Sequence, residues 1–453
     1  MNIFGTDGVR GRANAYPMDP ITVLRLGMAI GLEARKKVGA RVVVGKDTRI
    51  SGYMVESALV SGLVAMGVNV GLLGPMPTAA IATLVRNLRA SMGVVISASH
   101  NSYLDNGVKI FDGEGIKIPL ELEEMLESNV RAELSGNLAQ VRDMGKVYRI
   151  AGAVGRYIEF VKGTFPKKLK LSGMKIVVDC ANGAAYHIGG EVFWELGADV
   201  VVIGNKPDGL NINHNCGSLH PEGMVQKVLE ERADIGIALD GDADRVVVCD
   251  EKGRLVDGDQ VIASIMRHLR VTKSITDAAV TTMSSKSMDR YARELGVRLH
   301  RSEVGDRHLV DTMRQHSCSV GGEKSGHIIL WEHSTTSDSL VAALQILSIM
   351  LLENKSASSI FSDFVPMPRV HRDIPYSMGF DSIAQLIGPT LSDVEKALER
   401  VNGRVIFRRS GTERLIRCVV EGEDPELVAL VADELSIKLR ELGVESDVEP
   451  EMQ

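Results

Sequence analysis

The chain lacks a disulfide framework. Its five cysteines, Cys180, Cys216, Cys249, Cys318 and Cys418, are odd in number, far apart and without a CxxC pair, and a reducing cytosol is the simplest home for such a set. It also lacks a membrane-spanning run. The most apolar stretch, Leu340–Leu352, has 13 residues and includes Gln345 and Ser348. A spanning helix needs about 20, so this segment reads as a core helix. Nor is there an excess of positive charge. A net charge of -7 argues against a general nucleic-acid or acidic-membrane surface and leaves room only for a local basic pocket. No secretory leader fits, because the charged, glycine-rich FGTDGVRGR begins at Phe4. These absences lead to the expectation of a cytoplasmic protein with no membrane and no nucleic-acid partner.

What is present is an ordinary globular composition, 44% hydrophobic and 25% charged, over 453 residues. Domains usually hold roughly 100–200 residues, so three or four are expected. The pattern alternates strands and helices. Val42–Val44, Val68–Leu73 and Gly93–Ile96 read as strands around helices at Tyr53–Met66 and Ala79–Leu88, which predicts βαβ units with parallel strands. The alternation restarts with strands at Lys175–Val178, Asp199–Ile203 and Asp234–Leu239, and helices at Gly189–Leu196 and Glu222–Arg232. A third start follows the strand Val246–Val248, which turns at Glu251-Lys252-Gly253. Strands at Ala278–Thr282 and Val297–His300 then alternate with helices at Lys286–Leu295 and Asp338–Leu352. The last 85 or so residues differ, with strands at Val405–Phe407 and Leu415–Val420 and a helix opened by Asp424-Pro425. Phe364–Pro375, with three prolines, reads as a linker. The expected division is an α/β domain over 1–150, a second over 151–250, a third over 251–366 and a smaller α+β domain over 367–453.

Chemistry concentrates in four places. The first is Asp240, Asp242 and Asp244 in LDGDADR, directly after the strand-like ADIGIAL. Two unit charges ~4 Å apart repel by about 1 kcal/mol in water and about 4 kcal/mol at an effective dielectric of 20, so three carboxylates together favour a bound cation. Oxygen-only ligands point to Mg²⁺ or Ca²⁺. A solvated acidic turn competes with this reading. So does an EF-hand loop, since Asp240, Asp242, Asp244 and Glu251 fit positions one, three, five and twelve; but Arg245 stands where position six requires glycine.

The second place is VVISASHNSYLDNGVKIF. Ser99 sits beside His100, no GxSxG surrounds it, and Asp105-Asn106-Gly107 reads as a tight turn before Lys109. Ser99 is either a turn former or a phosphate-bearing serine served by Lys109 or His100 as proton donor or acceptor. The third, FRRSGTERLIR, offers Arg408, Arg417, Ser410, Thr412 and the flexible Gly411. These would suit a phosphate, because arginine forks match its oxygens and glycine admits backbone N–H groups; a solvated charged hairpin is the alternative. The fourth, GGEKSGHI, spaces Glu323 and Ser325 for vicinal sugar hydroxyls, or is a plain glycine-rich turn. Arg10 and Arg49 lie in FGTDGVRG and VGKDTRISG, as phosphate ligands or as surface arginines. Taken together, a metal trio, a candidate phosphoserine and a separate phosphate nest favour isomerisation over hydrolysis. A phosphatase has little need for a second phosphate pocket, whereas a mutase intermediate carries two phosphates at once.

FGTDGVRG, SASHN with DNGVK, DGDADR, GGEKSGHI and RRSGTERLIR follow one another in this order from Phe4 to about Gly422, and in this the chain resembles the α-D-phosphohexomutases. FGTDGVRGRAN, VGKDTRISGY and TTSDS are most similar to the bacterial branch of that family that interconverts glucosamine 6-phosphate and glucosamine 1-phosphate. The resemblance implies four domains around a central cleft, three mixed α/β domains and a smaller C-terminal α+β domain. It implies phosphorylation of Ser99, which would ligate Mg²⁺ through its phosphate together with Asp240, Asp242 and Asp244. Arg245 would lie near the transferring phosphate, Arg10 and Lys109 would flank the phosphoserine, and Glu323 and Ser325 would grip the sugar. Arg408, Ser410, Gly411, Thr412 and Arg417 would hold the other phosphate. A hexose bisphosphate would serve as activator and intermediate, and the product would feed amino-sugar nucleotide and cell-envelope synthesis. A monomer and a homodimer are both open.

The chain departs from the family pattern at Ser102 (commonly Pro), Ala243 (frequently Gly), Arg414 (normally Pro), and Ser337 and Ser339 (usually Gly). Ala243 is strained only where φ is positive. Two rivals follow: the same chemistry on a neutral hexose phosphate, as in phosphomannomutase or phosphoglucomutase, and a non-catalytic sugar-phosphate-binding homologue. Turnover of each sugar phosphate discriminates between them.

Overall fold

The computed structural model describes residues 3–5, 7–409 and 415–442. The chain forms two compact units, one of Met1–Thr282 with Leu295–Phe364 and the other of Met283–Glu294 with Val365–Gln453. Among the described residues no helix is long and apolar enough to cross a membrane.

Three sheets build the first unit. The first contains β1 (Phe4–Gly5), β2 (Gly8–Arg12), β3 (Arg41–Lys46), β4 (Asn69–Pro75), β5 (Met92–Ile96), β6 (Asp105–Phe111) and β7 (Val147–Arg149), in the order β1-β2-β6-β5-β3-β4-β7. Strands β5, β3, β4 and β7 run parallel, as βαβ alternation demands. The β1-β2-β6-β5 side is antiparallel. Both faces are covered, which is why β3 and β5 read as continuous apolar runs. Val42, Val44, Val94 and Ile96 pack with Leu26, Ile30, Leu59 and Leu63 of the helices Pro20–Ala34 and Gly52–Ala65. On the other face Ile81 of the helix Thr78–Asn87 lies over Gly45 and Gly93.

The second sheet holds β8 (Lys175–Asp179), β9 (Asp199–Ile203), β10 (Ile235–Leu239), β11 (Val246–Asp250) and β12 (Leu255–Val256), ordered β12-β11-β10-β8-β9. Antiparallel pairing of Leu239 with Val246 leaves residues 240–245 as the connecting loop. The third sheet holds β13 (Asp277–Thr281), β14 (Arg298–Ser302), β15 (Val320–Gly322) and β16 (Ile328–Leu330), ordered β14-β13-β15-β16. Its β15–β16 hairpin presents residues 323–327 in the same way. The apolar run singled out above is the helix Ser339–Glu353, buried along most of its length.

In the second unit, β17 (Arg369–Pro375), β18 (Arg404–Arg409) and β19 (Leu415–Glu421) form an antiparallel sheet ordered β17-β19-β18. The helices Phe380–Glu399 and Pro425–Glu441 share its core through Ile383, Leu398, Val431 and Leu435 against Ile374, Ile416 and Val420. Asp424 caps the last helix by accepting from Glu426 N and Leu427 N, as Asp-Pro at that point implies.

The expected strands and helices are present within two residues of their sequence bounds. Two readings are corrected. Asp105-Asn106-Gly107 is not a turn but the start of β6, paired to Arg12, Gly11 and Arg10 of β2. The chain reverses earlier, at residues 97–104 between β5 and β6. Turn chemistry misleads here because Asn106 is buried and spends its amide on Ser51 Oγ at 2.8 Å. Gly107 serves close packing, since a Cβ there would stand 2.6 Å from Ser97 O and 2.7 Å from Val9 O. The second correction concerns Phe364–Pro375. Its second half is the edge strand β17, where a proline at the strand end costs no ladder bond toward the sheet interior.

Gly107→Ala is therefore expected to lower stability by about 1–3 kcal/mol, the usual cost of forcing atoms into a packed site. The unfolding midpoint in urea measures it, and an unchanged midpoint would contradict the packing described.

Candidate active site

Ser99 lies in the β5–β6 connection, 1% exposed, with φ of 53°. An L-residue held left-handed needs its surroundings to hold it, and the neighbouring groups do so. Its N–H donates to Ser97 Oγ at 2.8 Å. Its carbonyl accepts from Arg49 Nη2 and from Asn213 Nδ2, both at 2.9 Å. Arg49 is neither a surface residue nor free to bind phosphate. It is buried, ion-paired to Asp47 at 2.8 Å, and donates to the carbonyls of Ser99, Asn101, Ser102 and Asp105. Only a guanidinium presents enough donors in one plane for this. Gly241 completes the fit, because a Cβ there would stand 2.5 Å from Ser99 O.

This setting aims Ser99 Oγ at the carboxylate loop. It donates to Asp240 Oδ2 at 2.7 Å, across 141 residues of sequence. Asp240 Oδ1 accepts from the N–H groups of Asp244 and Arg245 at 3.0 and 3.1 Å. Asp242 Oδ2 accepts from Thr78 Oγ1 at 2.6 Å and from Lys109 Nζ at 2.9 Å. Lys109 also reaches Asp244 Oδ2 at 2.8 Å and Asp7 at 3.3 Å. One oxygen of each of the three aspartates lies within 4.8 Å of the others. Asp242 Oδ1 and Asp244 Oδ1 are buried without a hydrogen-bond partner among the described residues. Buried carboxylate oxygens left open in this way are what a hard divalent cation takes up, so the residues present fit such an ion. The EF-hand alternative fails on structure as well as on Arg245. The loop joins two strands, and Glu251 is spent on Ser358 N at 2.9 Å.

The electrostatics follow from burial. Desolvation and then repulsion by Asp244 and Asp242 push Asp240 well above the usual carboxylate range, and desolvation and Asp244 raise Asp242 too. Burial works to lower Lys109, but Asp242, Asp244 and Asp7 outweigh it, and the amine is held protonated well above its ordinary value. Burial, then Arg245 and Arg10, drive His100 down to about 3. At neutral pH Lys109 thus keeps its positive charge and donates hydrogen bonds, and the His100 ring is neutral and can accept one.

Several other motif residues of the first unit border this cluster. Arg10 is ion-paired with Asp7, and Arg245 forms a backbone bridge to His327. Glu323 and Ser325 sit in the β15–β16 hairpin, Ser325 Oγ donating to Glu323 Oε2 at 3.1 Å. Arg408 and Arg417 are cross-strand partners on β18 and β19 of the second unit; Ser410, Gly411, Thr412 and the departure at Arg414 lie outside the described residues. Sequence reasoning missed four charged members. Lys117 pairs with both Asp7 and Asp306. His327 is ion-paired to Asp306 at 3.0 Å. Although burial works to lower His327, Asp306 and Asp244 bring it up to about 9. Asp7 and His327 stand inside motifs already singled out, and that proximity was the signal available; Lys117 and Asp306 stand outside them.

The phosphoglucomutase/phosphomannomutase family matches the chain as four successive pieces. These are alpha/beta/alpha domain I over residues 1–136, domain II over 155–253, domain III over 257–367 and the C-terminal domain over 377–438. A phosphoglucosamine mutase of Anaplasma marginale (strain Florida) is 94% identical over 453 residues, 100% of both chains. One from Mesorhizobium japonicum is 48% identical over 437 residues, 96% of this chain and 97% of that one. Among solved structures, a phosphoglucomutase/phosphomannomutase family protein from Burkholderia thailandensis superposes with a TM-score of 0.80 at 22% identity, covering 97% of each chain. An Aspergillus fumigatus N-acetylphosphoglucosamine mutase, in complex with GlcNAc-6P and magnesium, gives 0.69 at 17% identity over 98% of this chain and 96% of that one.

Arg49→Met is expected to destabilise the first unit by about 3–5 kcal/mol, because it leaves the buried Asp47 carboxylate without its counter-charge and takes a donor from each of four carbonyls. Urea unfolding measures the loss; a change under about 1 kcal/mol, the scale of an exposed ion pair, would contradict the clamp.

Proposed function

This chain belongs to the phosphoglucosamine mutases, within the phosphoglucomutase/phosphomannomutase family, and on that premise we propose that it interconverts glucosamine 6-phosphate and glucosamine 1-phosphate by way of a phosphorylated Ser99. It is an isomerase. The observation that carries the proposed mechanism is the 2.7 Å contact of Ser99 Oγ with Asp240, beside two buried carboxylate oxygens that have no partner among the described residues.

Phosphorylated Ser99 would give its phosphoryl group to the free hydroxyl of the bound sugar. The bond from phosphorus to Oγ breaks as one to the sugar oxygen forms, and the hydroxyl proton passes to an acceptor. The product of this half is glucosamine 1,6-bisphosphate. After that intermediate turns over, its other phosphoryl group returns to Ser99: the bond from that phosphorus to the sugar oxygen breaks as one to Oγ forms, the sugar oxygen takes up a proton, and the isomer leaves. Lys109, fixed by Asp242, Asp244 and Asp7, would present its ammonium to the transferring group. His100 would accept a proton or hydrogen bond rather than donate one. Arg10 and Arg245 would add positive charge around the phosphoryl oxygens. Mg²⁺ held by Asp240, Asp242, Asp244 and the phosphoserine would supply charge neutralisation during transfer. Glu323 and Ser325 would orient the sugar hydroxyls, and Arg408, Ser410, Gly411, Thr412 and Arg417 would hold the phosphate at rest. The setting we infer is the cytoplasm, as a monomer or homodimer, with the product passing to amino-sugar nucleotide and cell-envelope synthesis.

Ser99→Ala should lower turnover by roughly a thousandfold or more, as removal of a covalent carrier does, while leaving the unfolding midpoint near that of the parent protein. The assay contains Mg²⁺ and a trace of hexose bisphosphate; retained activity would sink the phosphoserine. Asp242→Asn should raise the Mg²⁺ concentration for half-activation by at least the roughly 10–100-fold that even outer-shell changes cost. Glucosamine 6-phosphate, glucose 6-phosphate and mannose 6-phosphate compared at equal concentration decide the substrate, and preference for a neutral hexose would overturn the amino-sugar assignment.

A further inference from the structure

We propose that Ser337 is a positioning residue for Asp244, and that through it the carboxylate loop keeps Ala243 in a backbone conformation that alanine does not favour. The inference rests on the reading of Asp240, Asp242 and Asp244 as a metal site.

Ser337 is wholly buried and its one hydroxyl is used on both sides. The O–H donates to Asp244 O at 2.5 Å, and the oxygen accepts from Ile328 N at 2.8 Å. It therefore ties the carboxylate loop to the first residue of β16, at the end of the hairpin that carries Glu323 and Ser325. Two residues on, Ser339 N donates to Ala243 O at 3.4 Å. Both carbonyls that bracket the Asp244 peptide are thus held by the segment 337–339. That segment is itself anchored. Asp338 accepts from Leu340 N and Val341 N, capping the helix Ser339–Glu353, and from the Tyr157 hydroxyl at 3.0 Å.

The need for such a grip lies at Ala243, whose φ is 55°. Glycine would reach that conformation freely, whereas an alanine is disfavoured in it. Without an external hold, the peptide between Ala243 and Asp244 would relax toward negative φ and turn the Asp244 carboxylate away from Asp240 and Asp242. Asp244 and Ser337 stand 93 residues apart along the chain and meet only in the fold. The arrangement pairs one strained residue, Ala243, with one side chain that holds the loop, Ser337; the contact from Ser339 is made by its backbone N–H alone.

The test is Mn²⁺ binding to the purified full-length protein, followed by electron paramagnetic resonance, which reads the site without turnover. Ser337→Ala should weaken Mn²⁺ roughly tenfold, the scale of a lost outer-shell partner. Ala243→Gly should remove most of that dependence, so that the double variant binds within about twofold of Ala243→Gly alone. Circular dichroism confirms that each variant is folded, and Ser337→Gly replaces Ser337→Ala if the alanine variant is not. Asp242→Asn is the control. If it loses Mn²⁺ and Ser337→Ala does not, the positioning role is overturned. Equal losses from Ser337→Ala in the parent protein and in the Ala243→Gly background would overturn the compensation. If Asp242→Asn itself leaves binding unchanged, the metal-site reading falls instead.

Discussion

The structure depends on keeping opposite charges matched inside a buried cluster. The carboxyl groups of Asp7, Asp240, Asp242, Asp244 and Asp306 lie among Arg10, Lys109, Lys117, Arg245 and the raised His327, with Glu323 acting on Arg245 and His327 as well. Any one of these charges left alone in the interior would cost several kcal/mol, so none can be placed independently. On the proposed mechanism a phosphoryl group on Ser99 would add between about one and a half and two negative charges, which a divalent cation on the carboxylates would offset.

That balance is built from three sheets. Arg10 comes from β2, Lys109 from β6, the aspartate trio from the β10–β11 loop, and His327 from the β15–β16 hairpin; Asp306 opens the helix Asp306–Gln315. The cluster forms only when these elements are packed together, which gives a physical reason why the three sheets share one compact unit. The hairpins matter in another way. Where β10 or β15 ends, an antiparallel return sends the chain straight back, so the intervening loop is short and fixed at both ends. A short loop pinned at both ends holds side chains more precisely than a long connection would.

Much of this was legible in the sequence, and the reason differs from place to place. The aspartate trio was visible because three carboxylates at alternate positions after an apolar strand have few bland explanations. Ser99 was visible only as a serine beside a histidine and needed the neighbouring motifs to stand out. Lys117 and Asp306 carried no local signal, because their role arises from meeting each other and Asp7 across the fold. Arg49 looked like an ordinary loop arginine; its function as a clamp is set by four carbonyls that the sequence does not place near it. The helix Phe380–Glu399 went unread in a stretch interrupted by Gly388 and Pro389, and Pro389 is accommodated within that helix. β6 was misread because asparagine and glycine favour turns in isolation, while burial between two strands overrides that preference.

The same burial separates transfer from hydrolysis. Ser99, Lys109 and the aspartate trio are each no more than 3% exposed. A phosphatase needs water at the phosphorus once the substrate has left. A mutase needs the reverse, because its phosphoserine must outlast the departure of one sugar and the arrival of the next, and its bisphosphate must turn without losing either phosphate. Closing the reacting groups away from solvent strengthens every charge contact among them and withholds the competing nucleophile. With Arg49 and Asn213 fixing the Ser99 carbonyl from behind and Asp240 receiving its hydroxyl in front, Oγ faces the carboxylate loop rather than open solvent. On the proposed mechanism, such a site would exchange a phosphoryl group with a bound sugar and protect it from water in between.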